Sequence, residues 1–243
     1  MRKLLLLSNS VLHGSGYLEY AKDYVIEFFS KNGVKEILFV PYANPFSQEK
    51  YTEKVRSELN KWGYIVKGLN EADDPHSAIN QAQCIFIGGG NTFLLLKLLQ
   101  EKQLIEAIRN RVLNDGIPYM GSSAGTNVAT VSISTTNDMP IVHCQSLEAL
   151  SLVPFNINPH YLDSDPTSRH MGETRETRIS EYHALTGTPP VLGLREGSFL
   201  HVRGDVATLG GLSAARLFVR GKPCEEHPVG SDLSFLFNLV DSA

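Results

Sequence analysis

Gly121-Ser122-Ser123-Ala124-Gly125 carries the strongest chemical signal in the sequence. A G-x-S-x-G segment between a strand and a helix holds its central serine on a sharp turn. Here the apolar run 118–120 precedes it and a helical pattern follows. Glycines at both ends lack a Cβ, so the chain can turn tightly and pack closely beside the turn. Ser123 Oγ would then stand clear of the sheet, with the Ala124 N–H beside it to meet an oxyanion. A glycine-rich turn bearing an ordinary serine has the same letters, and only the surroundings separate the two.

A serine hydroxyl becomes a nucleophile when a base lies within hydrogen-bond reach and an acid orients that base. Of eight histidines, His160 is best placed, ending a strand in Asn158-Pro159-His160. His143, His170 and His201 are rivals. Asp138 and Glu196 both sit in loops next to strands, and their positions in the sequence do not choose between them as the acid. Gly88-Gly89-Gly90-Asn91 follows another apolar run and could offer a second oxyanion donor. The same glycines would also suit a phosphate-binding nest, although no P-loop or dinucleotide fingerprint is present.

These residues need a scaffold, and the first half of the chain supplies alternating apolar runs and amphipathic stretches. Strands are expected at 3–7, 36–40, 64–66, 84–87 and 118–120, and helices at 17–31, 48–61, 93–100 and 104–113. Residues 73–81 read as a loop or short helix. Repeated strand–helix–strand units predict an α/β fold, a mainly parallel sheet with helices on both faces. Ligands in such folds gather at the carboxyl ends of the strands, which here are Ser8-Asn9-Ser10, the 88–91 turn and the serine turn.

The second half is less regular. Strands are expected at 140–142, 152–157, 191–194, 199–202, 206–209 and 216–219, the last four as short antiparallel additions at the C-terminal side of the sheet. Residues 161–172 read as a polar loop and 174–185 as a helix. No repeat or linker divides the chain, so residues 1–243 are expected to form one α/β hydrolytic domain.

Composition narrows the function classes. Formal net charge is −4, which gives no reason to expect nucleic acid as a partner, and an anionic substrate would need a local cation. Leu4–Leu7 is too short for a signal-peptide core, and no apolar run reaches membrane-spanning length. Three widely spaced cysteines, Cys84, Cys144 and Cys224, suit a reducing compartment, so the cytoplasm is expected. No cofactor is expected. No metal is either: Asp163, Asp165 and His170 could ligate a cation, but they read better as a solvated loop.

Taken together, the sequence resembles the peptidase E family, the serine α-aspartyl dipeptidases. The resemblance runs from Leu4-Leu5-Leu6-Leu7-Ser8-Asn9-Ser10 to Leu209-Gly210-Gly211. It passes through Gly88-Gly89-Gly90-Asn91-Thr92-Phe93, Gly121-Ser122-Ser123-Ala124-Gly125 and Thr135-Thr136-Asn137-Asp138-Met139-Pro140-Ile141-Val142. Further on it includes Ile157-Asn158-Pro159-His160, Gly172-Glu173-Thr174-Arg175 and Gly193-Leu194-Arg195-Glu196-Gly197.

The resemblance implies a flavodoxin-like fold similar to the class I glutamine amidotransferases, and cleavage of dipeptides with an N-terminal aspartate. It places the nucleophile at Ser123, the base at His160, and the third member at Glu196 or at Asp138, with Glu196 favoured. It also implies oxyanion donors at Gly90 and Ala124 and substrate binding by Arg175, Asn91 and Thr92. Two positions depart from the pattern: Ser122, where bacterial relatives often carry a bulky aromatic, and Thr126, which replaces a small residue.

Arg175 suits an aspartyl carboxylate, since a guanidinium fork binds one through two parallel hydrogen bonds. Its competitor is a surface ion pair, because Glu173, Glu176 and Arg178 lie close by. The partner expected is therefore a small acidic dipeptide, with a second copy of the chain left open as a homodimer. A serine hydrolase of another acidic peptide, an aspartate-rich polymer or an ester is the alternative. A non-catalytic scaffold that binds an acidic metabolite stands further off.

Overall fold

The computed structural model describes residues 1–239 apart from 168 and 170. The N-terminal half builds β1 (Lys3–Leu7), α1 (Lys22–Lys31), β2 (Glu36–Val40), α2 (Gln48–Asn60) and β3 (Ile65–Gly68). It continues with α3 (Pro75–Gln81), β4 (Ile85–Ile87), α4 (Thr92–Glu101), α5 (Ile105–Leu113), β5 (Tyr119–Ser122) and the short α6 (Ala124–Asn127). The rest contains β6 (Asn156–Tyr161), α7 (Arg175–His183), β7 (Val191–Arg195), β8 (Ser198–Arg203), β9 (Val206–Gly211), β10 (Ala215–Phe218) and β11 (Glu225–His227).

A seven-stranded sheet runs in the order β3-β2-β4-β5-β1-β8-β9. The first five strands are parallel, and β8 and β9 continue the sheet antiparallel. Side chains alternate across each strand, so a strand covered on both faces must be apolar at every position. Strand β1 shows this directly. Leu4 and Leu6 pack into one buried cluster with α4 and α5, while Leu5 and Leu7 pack into another with α1 and α2.

The antiparallel additions divide differently from the expectation. Only the strands near 199–202 and 206–209 join the main sheet. Those near 191–194 and 216–219 form a separate four-stranded sheet, β11-β10-β7-β6, in which β6 and β7 are parallel. Apolar runs show that a strand is buried but not which partner it meets. Two expected strands are corrected as well. Residues 140–142 are irregular, with Pro140 and Ile141 exposed, and 152–155 form bends that lead into β6. The Leu152, Val153 and Phe155 side chains are buried all the same, so burial alone gave that stretch its strand-like pattern.

One buried cluster joins the two sheets, drawing on Leu6 and Ile87 from the first and on Ile157, Leu192, Leu194 and Leu217 from the second. This packing holds the end of β6 against the ends of β1 and β5. Among the described residues, no helix is long and apolar enough to cross a membrane.

Candidate active site

Strand β5 lies between β4 and β1, and its last residue, Ser122, pairs with Leu7. The chain then turns into α6 at Ser123, whose backbone has φ 54° and ψ −111°. A positive φ on a residue with a side chain is strained and persists only where the surroundings enforce it. Here the Ser123 N–H donates to Leu7 O at 3.1 Å. Thr126 Oγ1, one turn on, donates to the same carbonyl at 2.6 Å. A Cβ on Gly125 would collide with the carbonyl of Ile87, so only glycine lets α6 start this close to β4. Ser122 Oγ is buried without a hydrogen-bond partner among the described residues.

His160 comes from the other sheet. Along the β6–β7 pairing, Pro159 faces Leu194 and Tyr161 faces Arg195, which leaves His160 as a bulged residue with φ 53°. A bulge re-aims one side chain without ending its strand. The His160 N–H, released from the ladder, donates to Ser8 Oγ at 2.9 Å, and Ser8 Oγ donates to Leu194 O at 2.8 Å. Ser8 thus ties the end of β1 to the bulge. His160 Nε2 lies 2.9 Å from Ser123 Oγ, and Nδ1 lies 2.7 Å from Glu196 Oε1.

Glu196 occupies the tight turn between β7 and β8. Its neighbour Arg195 is clamped by Asp163 at 2.7 and 2.8 Å and by Glu226 at 2.5 and 3.0 Å. The Asp163 carboxyl is held below its ordinary pKa by these Arg195 bonds. On the far side of the turn, the Gly197 N–H donates to Asn9 Oδ1 at 2.9 Å. Both ends of the turn are therefore fixed, and with them the carboxylate that meets His160.

Asp138, the rival acid, lies elsewhere. Its Oδ2 accepts from the Thr92 N–H at 2.7 Å, from Thr92 Oγ1 at 2.6 Å and from Thr136 Oγ1 at 3.3 Å, at the start of α4. Among the other histidines, His143 is exposed, His201 packs edge-on against Phe28, and His170 lies outside the described residues.

The glycine turn after β4 leaves one donor over. The Gly88 N–H donates to Val40 O at 3.2 Å, Gly89 to Tyr51 OH at 3.0 Å and Asn91 to Ala43 O at 2.8 Å. The N–H groups of Gly90 and Ala124 meet no acceptor among the described residues. Gly90 has φ 140°, and a Cβ there would collide with the Ala43 carbonyl.

A cavity of about 230 Å³ opens beside Ser123. Thr92, Ala124, Asn127, Thr136, Asn137, Asp138, Pro159, His160 and Arg175 line it with the serine. Arg175 begins α7 behind the cap residue Thr174, and among the described residues it makes no ion pair. The surface pairing open to it goes elsewhere: Glu176 meets Arg216 at 3.2 Å. Partial burial lowers the Arg175 pKa, Arg178 lowers it further, and Asp138 opposes the shift.

Asn91 is not among the residues lining the cavity. Its side chain caps α4 by accepting from the Leu94 N–H at 3.0 Å, and it donates to Met139 O at 2.9 Å. The sequence alone gives no role to Tyr51, Asn127 or Asn137, and signals Ser8 only by its place at the end of a strand.

Comparison with known proteins agrees with this architecture. The chain is 54% identical over 235 residues to a probable alpha-aspartyl dipeptidase of Drosophila melanogaster, covering 97% of each chain. It is 52% identical to a Streptomyces coelicolor protein named Peptidase E, covering 97% of this chain and 95% of that one. A crystal structure of a peptidase from an acI-B1 Actinobacterium shares the fold at TM-score 0.72 and 21% identity, covering 97% of each chain. The family model for peptidase family S51 matches residues 4–210, and the chain belongs to that family.

Proposed function

We propose that the chain is a serine dipeptidase that hydrolyses Asp-Xaa dipeptides through an acyl-enzyme. One observation carries this reading: Ser123 Oγ, bonded to His160 Nε2, opens into the same cavity as Arg175, which makes no ion pair among the described residues. The names of the Drosophila and Streptomyces relatives support the substrate class.

In this reading Arg175 takes the aspartyl side-chain carboxylate and sets the following carbonyl carbon against Ser123. Ser123 Oγ attacks while its proton passes to His160 Nε2. Glu196 accepts the Nδ1–H and stabilises the imidazolium. The Gly90 and Ala124 N–H groups receive the developing oxyanion, a preorganised pair that needs no rearrangement during the step. Collapse breaks the peptide bond, and His160 gives its proton to the leaving amine. Water then attacks the acyl-enzyme with His160 again as base, releasing aspartate and restoring Ser123. The free cysteines Cys84, Cys144 and Cys224 are consistent with a cytoplasmic setting.

A panel of Asp-Leu, Ala-Leu and p-nitrophenyl acetate tests the reading. Asp-Leu is expected to exceed Ala-Leu in kcat/KM by about a thousandfold or more. Fast ester cleavage with no action on Asp-Leu would favour a serine hydrolase of other substrates. Glu196→Gln is expected to lower kcat about 10- to 100-fold with KM little changed. That is less than the roughly 10⁴-fold cost at a buried triad acid, because the Glu196 side chain is 53% exposed. A kcat within twofold of the parent would remove Glu196 from the orienting role.

A further inference from the structure

The turn from Gly88 to Asn91 leads from β4 to α4, and its N–H groups are not held alike. Gly88 and Asn91 donate to backbone carbonyls, Val40 O and Ala43 O. The acceptor for Gly89 is a side chain from a different element: its N–H donates to Tyr51 OH, on α2, at 3.0 Å. The turn lies directly against the nucleophile, since a Cβ on Gly89 would come within 3.0 Å of Ser123 Cβ. Tyr51 is fitted to the turn just as closely. A Cβ on Gly88 would meet Tyr51 OH at 2.6 Å, and the Tyr51 ring packs edge-on against Phe39 of β2 at 5.0 Å between centroids.

Consecutive glycines leave a turn many backbone conformations, so each N–H direction has to be enforced by a contact. Tying the Gly89 N–H to Tyr51 fixes the peptide ahead of the one whose N–H, that of Gly90, meets no acceptor among the described residues. We infer that Tyr51 is a positioning residue of the oxyanion hole: its hydroxyl holds the Gly89 N–H so that the Gly90 N–H faces the place where the oxyanion forms. Tyr51 is not among the residues lining the cavity and touches no reacting atom. Burial pushes its hydroxyl above the ordinary tyrosine pKa, so it accepts as a neutral group. A carboxylate in its place would set a full negative charge behind the oxyanion and oppose its formation. This role rests on the acyl-enzyme reading above and adds to it a residue from a helix outside the site.

Tyr51→Phe tests this, because it keeps the ring against Phe39 and removes only the acceptor. The variant is expected to lower kcat on Asp-Leu about 10- to 100-fold with KM within about threefold, the split left by losing a contact that acts in the transition state. The loss stays below the roughly 10²- to 10³-fold cost of deleting an oxyanion donor, since the Gly90 N–H is displaced rather than removed. The rate at which a fluorophosphonate labels Ser123 is expected to fall by a similar factor, because its phosphoryl oxygen gains charge in the same hole. Tyr64→Phe is the control. Tyr64 belongs to the same buried cluster as Tyr51, and its hydroxyl donates to Ile26 O at 3.2 Å, away from the turn. Both rates are expected to stay within about twofold in that variant, measured at a temperature where melting curves show every protein fully folded. An unchanged kcat and labelling rate in Tyr51→Phe would overturn the inference, as would a loss confined to KM or an equal loss in Tyr64→Phe. A parent protein that labels but does not cleave Asp-Leu would count against the Asp-Xaa reading instead, and the labelling rates would still decide the role of Tyr51.

Discussion

Replacing Ser123 by alanine is expected to lower kcat on Asp-Leu by roughly four to six orders of magnitude, the range seen when a serine nucleophile is removed. In the proposed mechanism the Ser123 alcohol supplies the attacking atom, and no described side chain other than Ser123 is hydrogen-bonded to His160 Nε2. The Gly90 and Ala124 donors would remain, so a trace of rate above the uncatalysed reaction is expected to survive. Stability should scarcely change. Among the described residues Ser123 Oγ has His160 as its one hydrogen-bond partner, and alanine at φ 54° carries the same backbone strain as serine. Turnover assays beside a thermal melt check both halves of this prediction, and loss of fluorophosphonate labelling would follow the loss of rate. Turnover kept within tenfold in a well-folded variant would remove the nucleophile assignment.

Parts of this arrangement were legible in the sequence because their causes are local. Leu4 to Leu7 must be apolar at every position since both faces of β1 are covered, and that pattern survives in one dimension. Gly125 is glycine because α6 begins against the Ile87 carbonyl, and this requirement writes itself into G-x-S-x-G.

Other parts depend on contacts between distant segments. Nothing near His160 in the chain announces a bulge with positive φ. It exists because Ser8 captures the N–H and Leu194 captures the Ser8 hydroxyl. The two acids posed the same difficulty. Asp138 and Glu196 both sit in polar loops next to strand-like stretches, and what separates them is that one loop closes on the start of α4 and the other on the bulge. Strands β7 and β10 read as additions to the main sheet for a similar reason, since their short apolar runs do not encode a partner.

Arg175→Met is expected to cut kcat/KM on Asp-Leu by about 10³- to 10⁴-fold and to bring Asp-Leu and Asn-Leu within about tenfold of each other. Methionine keeps much of the length and apolar stem of arginine while removing the fork and its charge. A half-buried guanidinium without an ion pair is poorly solvated, and partial burial already lowers its pKa. A carboxylate satisfies it through two charge-assisted bonds, whereas the neutral amide of asparagine presents one acceptor and a repelling N–H pair. The difference is large because a mismatched ligand leaves the cation desolvated and unpaired. Arg175→Lys should recover little, since an ammonium cannot reproduce the planar two-point contact. The fold should tolerate the change, because Arg175 begins α7 while the cap hydrogen bond belongs to Thr174 and Thr177. The protein as a whole carries a net charge of −4, so in the proposed role Arg175 would draw an anionic side chain in against the overall field. If the methionine variant still favoured Asp-Leu over Asn-Leu by a hundredfold, carboxylate selection would have to come from another part of the site.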